Sequence, residues 1–261
     1  ARAGIAETAK ASGYRRLQSE TTILVMDVGR PPPEAFSHAA QAGCLSFELS
    51  DRGEKLIGNC GAPPRGRDIP ATLARATAAH STLTINDTSS CHFAPSDEDR
   101  WPEGGPVLDG PRRVDVLRES DDASEMITAR HDAYAREFGV IHERRLILGR
   151  DGGWLIGEDR LKPVSKRRKI ADYPVTIRFH LPPSARAESL EPDIVRIILA
   201  SGSVWTLTSE RPAAVEDSIL FASQDGMRRT TQIVITSSTK TQTVKWSLAR
   251  NGALNPEKPD A

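Results

Sequence analysis

Histidine is the side chain best suited to move a proton near neutral pH or to hold a transition metal. The six here are His38, His80, His92, His131, His142 and His180, scattered along 261 residues. No pair makes an HExxH or HxH motif, so a zincin-type centre is not supported. A GxSxG elbow, a P-loop and a GxGxxG after a strand are also missing, so neither a serine nucleophile nor a phosphate cradle is suggested. The cysteines Cys44, Cys60 and Cys91 fit no zinc-ribbon or CxxC spacing. Cys44 and Cys60 sit in strand-like runs and are expected as buried small apolar groups. A Cys44–Cys60 disulfide is open to them only in an oxidising compartment.

The most informative segment is Arg75-Ala76-Thr77-Ala78-Ala79-His80-Ser81-Thr82-Leu83-Thr84-Ile85-Asn86-Asp87. His80 stands at the entrance of a strand among small residues that let a ligand or another chain segment come close. The bland alternative is a neutral imidazole satisfied by a backbone partner. Elsewhere, His142 and Arg144 alternate with Glu143 and Arg145, so one pair must face away from the other, and the inward pair is expected to tie strands together. His180, on an alternating strand, is expected to be packed or exposed without chemistry. Trp154, Trp205 and Trp246 lie in strands and read as core, whereas Trp101, in a Pro/Gly loop, is the better sugar platform. The run Lys162–Lys169 reads as a solvated basic loop, with an acidic-polymer site as the alternative.

The elements that must carry these residues are strands. Short β-branched runs are divided by Gly, Pro, Asp and Ser. Strands are predicted at Ile23–Val28, Cys44–Leu49, Lys55–Cys60, Ser81–Asp87, Val114–Glu119, Met126–Ala133 and Arg144–Leu148. More follow at Trp154–Asp159, Val175–His180, Ile194–Ala200, Val204–Thr208, Ala214–Leu220, Gln232–Thr236 and Thr243–Leu248. Asp51-Arg52-Gly53 and Asp151-Gly152-Gly153 are placed as hairpin turns. Helical periodicity is confined to Ala3–Ser12 and, weakly, Ile69–Ala79. The reading is all-β: a large two-layer antiparallel β-sandwich over residues 13–250, with excursions at Ala62–Pro70 and His92–Pro111. Residues 1–12 read as a linker and 251–261 as a disordered tail.

With 38% hydrophobic and 27% charged residues, the chain can build a sizeable core. Lys+Arg and Asp+Glu both number 35, which leaves no net field to draw in nucleic acid or an anionic membrane. No apolar run reaches the ~20 residues of a membrane span. The opening Ala1-Arg2-Ala3-Gly4, without an initiator Met or apolar leader, reads as the start of a fragment.

Several stretches, in order, resemble the C-terminal β-domain of heparinase II/III-like polysaccharide lyases. Ala79-His80-Ser81-Thr82-Leu83 is similar to the family's Ala-His-Asn-Thr motif. Ala42-Gly43-Cys44-Leu45-Ser46-Phe47-Glu48-Leu49 is similar to its "DAGSFEL" strand, and Lys55-Leu56-Ile57-Gly58-Asn59-Cys60-Gly61 stands where it has "LLVDPG". Gly139–Leu146 and Arg178–Leu181 resemble the later "HxRR" and "FHL" strands. The likeness runs from about Ser12 to Ser247.

The resemblance implies a two-part enzyme, an N-terminal α/α toroid and a C-terminal β-sandwich with a polysaccharide cleft between them. It implies β-elimination at a uronic acid, in which a base takes the C5 proton, hydrogen-bonding or positive groups neutralise the carboxylate, and an acid protonates the leaving O4. The toroid and its tyrosine are absent from this sequence; Tyr14, Tyr134 and Tyr173 do not match that tyrosine's context. The family's Gly-His-x-His positions fall on Ala39 and Gln41, with His38 one residue early, and its aspartate ligand falls on Asn59. Of its His/Asp/His metal set only His80 is kept, so neither a zinc ion nor any other cofactor is expected. By this resemblance His80 is the catalytic candidate and Gln41, Asn59, His38 and Arg144 are substrate-binding candidates, joined by Trp101 as the loop aromatic. The expected partners are an acidic polysaccharide and the missing toroid, and the family's setting is periplasmic or secreted. Two readings stand: the β-domain of a lyase, inactive alone, and a non-catalytic carbohydrate-binding or structural domain.

Overall fold

The computed structural model describes residues 12–64, 71–95, 104–165, 169–223 and 226–251. Among them eighteen strands form antiparallel sheets in two layers. One layer is a sheet of eight. Its order is β13 (Arg186–Glu191), β14 (Ile194–Ile198), β15 (Val204–Ser209), β18 (Thr243–Arg250), β11 (Trp154–Pro163), β10 (Val140–Gly149), β9 (Ser124–His131) and β8 (Val114–Ser120).

The facing layer is split into two sheets of four. The first runs β1 (Tyr14–Gln18), β2 (Thr22–Asp27), β3 (Phe47–Asp51) and β4 (Glu54–Ile57); the second runs β16 (Ala213–Leu220), β17 (Arg228–Ser238), β12 (Pro174–His180) and β5 (Leu83–Ile85). A single antiparallel bridge, Gly58 with His180, stitches the two together just past the end of β4. A two-stranded ribbon, β6 (His92–Phe93) with β7 (Val107–Asp109), lies within the Pro/Gly-rich excursion. The weak helical signal after residue 69 becomes the short helix α1 (Ala71–Arg75) and a 3-10 turn, Thr77–Ala79.

The predicted alternation is what fills the core. In β12, Val175, Ile177 and Phe179 are buried on the inner face. One aromatic cluster joins all three large sheets: Phe47 of β3 stacks on Trp246 of β18 at 5.7 Å, and Phe179 of β12 meets the same indole edge-on at 4.7 Å. The hairpin at Arg52-Gly53 has positive φ at both residues (51° and 83°), the twist a tight two-residue turn needs. Of the three tryptophans expected in the core, Trp205 and Trp246 are fully buried and Trp154 is only half-buried; the three cysteines are buried and free, so no disulfide links Cys44 to Cys60.

Between the layers sits a charged hub. Asp159 of β11 accepts two hydrogen bonds from Arg144 of β10, at 2.8 and 3.0 Å, one from His142 Nε2 at 2.7 Å and one from Trp246 Nε1 at 3.0 Å. Burial works to raise the Asp159 carboxyl, but Arg144 and His142 outweigh it and hold the group far below the usual carboxylate range. Arg144 also crosses the core to donate from Nη1 to the carbonyls of Leu45 (3.0 Å) and Ser81 (2.8 Å). The inward pair on this strand is therefore His142 and Arg144, and it ties strands together as expected.

Candidate functional site

A cavity of about 750 Å³ opens beside the first four-stranded sheet. Its polar wall includes Tyr14, Asp27, Gln41, Glu48, Asn59 and His80. Three of these are site candidates named from the sequence. His80 follows the 3-10 turn, Gln41 lies on the loop before β3, and Asn59 lies just past β4.

His80 is held on both sides. Nδ1 lies 2.8 Å from the Ala76 carbonyl, and Nε2 lies 2.9 Å from Oε1 of Gln41. A carbonyl can only accept, so Nδ1 carries the proton. Burial pushes the His80 pKa down, with the Ala76 carbonyl pulling the other way, so the ring is neutral at physiological pH and Nε2 presents a lone pair. Gln41 then satisfies it by turning its amide NH₂ inward. The ring packs on the backbone of Gly43, where an added Cβ would fall 2.8 Å from Cδ2. Asn59 Oδ1 accepts the N–H of Ser81 at 2.8 Å, and Ser81 Oγ donates to the Gly58 carbonyl. The small residues around His80 thus serve close packing as well as access.

The other candidates fall elsewhere. Arg144 is fully buried and bound to Asp159, so it belongs to the core and does not line the cavity; the strand alternation gave no way to tell which of its faces was inward. His38 is half-buried on the loop leading to Gln41 and is not among the cavity-lining residues. Trp101 and residues 166–168 of the basic run lie outside the described residues. His180 is packed, with Nε2 3.0 Å from the Ala78 carbonyl and Nδ1 2.8 Å from Ser218 Oγ.

The sequence reading missed Asp27 and the placement of Tyr14. Asp27 ends β2 directly across from Tyr14 in the β1–β2 register, and both line the cavity. Burial raises the Asp27 carboxyl to about 6, against a hydrogen bond from the Gly29 N–H. The available signal was an acidic residue closing an apolar run just before Gly29-Arg30-Pro31.

The model of the "Heparinase II/III-like, C-terminal" family matches residues 2–247. The chain belongs to the heparinase II/III-like family. This heparinase II/III-like chain is 32% identical over 182 residues to FtsZ-localized protein C of Caulobacter vibrioides, a match covering 67% of the chain and 31% of that relative. Among solved structures it is similar to a heparan sulfate lyase from Pedobacter heparinus, with a TM-score of 0.69 at 15% identity, covering 94% of this chain and 36% of the lyase. It is also similar to a heparinase III, with a TM-score of 0.65 at 13% identity, covering 89% of this chain and 33% of the other. The chain spans about a third of the length of these relatives. At such identities the two lyases establish the fold.

The donors at the family's metal positions do not suit zinc. Gln41 and Asn59 are neutral amides, and both nitrogens of His80 are engaged. Among the described residues no three His, Cys, Asp or Glu side chains lie close enough together to hold a metal ion.

Proposed function

We propose that this chain is the β-sandwich portion of a longer polysaccharide lyase that cleaves a uronate-containing polysaccharide by β-elimination and needs a helical toroid domain for activity. One observation carries the reading: the three side chains at the family's motif positions, His80, Gln41 and Asn59, converge on one open cavity large enough for a sugar ring. Residues 13–250 form the sandwich in this reading, preceded by a linker and followed by a tail. The toroid supplies the opposite wall. The amides of Gln41 and Asn59 are donors for a sugar carboxylate, and His80 serves as proton acceptor once its Nε2 exchanges Gln41 for substrate. An acidic polysaccharide in a periplasmic or extracellular setting is the matching partner.

A non-catalytic carbohydrate-binding or structural role is the second reading. It is favoured by the engagement of both His80 nitrogens and by its 3% exposure. The relative matched in sequence is, moreover, named for its localisation with FtsZ and not for a reaction.

The deciding experiment follows ultraviolet absorbance of the conjugated elimination product, with full-length protein and a panel of uronate polysaccharides. A rise that disappears in His80→Ala supports the lyase. Polysaccharide binding without any rise supports the second reading.

A further inference from the structure

Among the described residues, Asp27 is the one carboxylate in the cavity wall without a compensating cation. Glu48, on the same wall, pairs with Lys55 Nζ at 2.7 Å. Asp27 has its Oδ1 on the Gly29 N–H at 2.9 Å and makes no ion pair among the described residues. The groups around it do not offset its charge. From β1 comes the Tyr14 hydroxyl, raised first by the Asp27 charge and then by burial. From β3 comes Glu48. The thiols of Cys44 and Cys91, on adjoining loops, are both raised by burial and are neutral near pH 7. His80 is neutral as well. Arg30, the remaining charged residue in the lining, is exposed and sends Nη1 toward the Arg112 carbonyl at 3.4 Å.

An ionised Asp27 would repel an acidic sugar in this half-enclosed space. A protonated one does the reverse, because a carboxylic acid donates a charge-assisted hydrogen bond to a carboxylate, and two carboxyl groups close together share one proton. We propose that Asp27 is a specificity-determining contact for an acidic saccharide, donating a hydrogen bond from its carboxylic acid to the sugar carboxylate, so that binding takes up one proton from solvent. The burial that already lifts this carboxyl to about 6 keeps the uptake within reach of neutral pH. The inference rests on the reading that the cavity takes a uronate.

The test is titration calorimetry on the intact protein, with oligosaccharides of glucuronate and of galacturonate, an uncharged gluco-oligosaccharide as control, and buffers of differing ionisation enthalpy. Affinity for an acidic probe is expected to rise roughly 25-fold from about pH 7.5 to about pH 5.5, with close to one proton taken up at neutral pH. Asp27→Asn is expected to bind the acidic probe at neutral pH as wild type does in acid, with a flat pH profile. Proton uptake is read on the wild type, so it does not depend on how the variant folds. Acidic-probe binding without proton uptake, or an Asp27→Asn profile that still follows the wild type (as it would if His80 were the titrating group), overturns the assignment and leaves the uronate reading standing. Binding of the uncharged probe alone overturns both.

Discussion

Ser81 Oγ donates to the carbonyl of Gly58 and accepts the N–H of His180 at 2.9 Å. These two bonds lie on either side of the bridge that joins the halves of the split layer. The residue beside His80 is thus fastened to both four-stranded sheets, and its own carbonyl receives Arg144 from the third. Ser81→Ala leaves two buried backbone groups without that partner and is expected to cost about 1–3 kcal/mol in urea unfolding. A change under about 0.5 kcal/mol would show that the seam holds without it.

Gly43 sets how close the chain passes to the His80 ring. A methyl group there falls 2.8 Å from Cδ2, and the facing atoms belong to a ring anchored at both nitrogens. Gly43→Ala is expected to cost about 1–3 kcal/mol and to weaken saccharide binding by displacing the ring. Unchanged stability together with unchanged binding would mean that His80 yields freely.

The Asp159 hub predicts an asymmetry between single and double replacements. Arg144→Met strands a buried carboxylate and is expected to cost about 3–5 kcal/mol by chemical denaturation. Arg144→Met combined with Asp159→Asn is expected to recover part of that loss, since no unpaired charge remains. Additive losses in the double variant would argue against a coupled pair.

Buried histidines set the acid limb of stability. Burial pushes His180 down to about 4, the Ala78 carbonyl opposing, and it pushes His142 and His131 down as well. The folded state keeps these rings neutral while the unfolded chain takes up protons below about 6.5, so stability falls as pH drops from about 6.5 toward 4. His180→Gln is expected to flatten that slope in unfolding free energies measured across the window. A slope identical to wild type would remove His180 from the account.

Asp27 works in the opposite sense. Its carboxyl is raised on folding, so its contribution to stability is present below the unfolded value near 4 and is lost as pH rises through about 6. Asp27→Asn is therefore expected to be more stable than wild type above about pH 6, on the order of 1–2 kcal/mol, with no such advantage below about pH 4. Equal stability at both ends would mean that solvent already relieves the charge.

Much of the fold was legible because burial imposes period two on strands packed from both layers. Val175–Phe179 and the other interior runs announced themselves in this way. The strands that escaped notice, Tyr14–Gln18 and Arg186–Glu191, lie at the open edges of their sheets, where charged residues such as Arg16 and Glu188 are exposed. β6 and β7 were hidden by their brevity inside a Pro/Gly-rich excursion. At the candidate site, His80, Gln41 and Asn59, which all line one cavity, were named through the resemblance to the family's motifs. Asp27 was not, because what distinguishes it is desolvation by residues distant in sequence, and a carboxylate before a Gly/Pro turn looks like punctuation. Arg144 was misplaced for a related reason: alternation says that two faces differ, not which of them is inside.

The separation between the Asp159 hub and the cavity wall decides which side chains are free to vary. Cohesion between the layers rests on Arg144, His142, Trp246 and the aromatic cluster, of which only Phe47 reaches the cavity wall. Gln41 and Asn59 lie on loops beside the cavity, outside this cohesive set, so side chains there can change without disturbing the hub. What holds the sandwich together and what lines its cavity are thus largely separate sets of side chains, so either can change while the other stays.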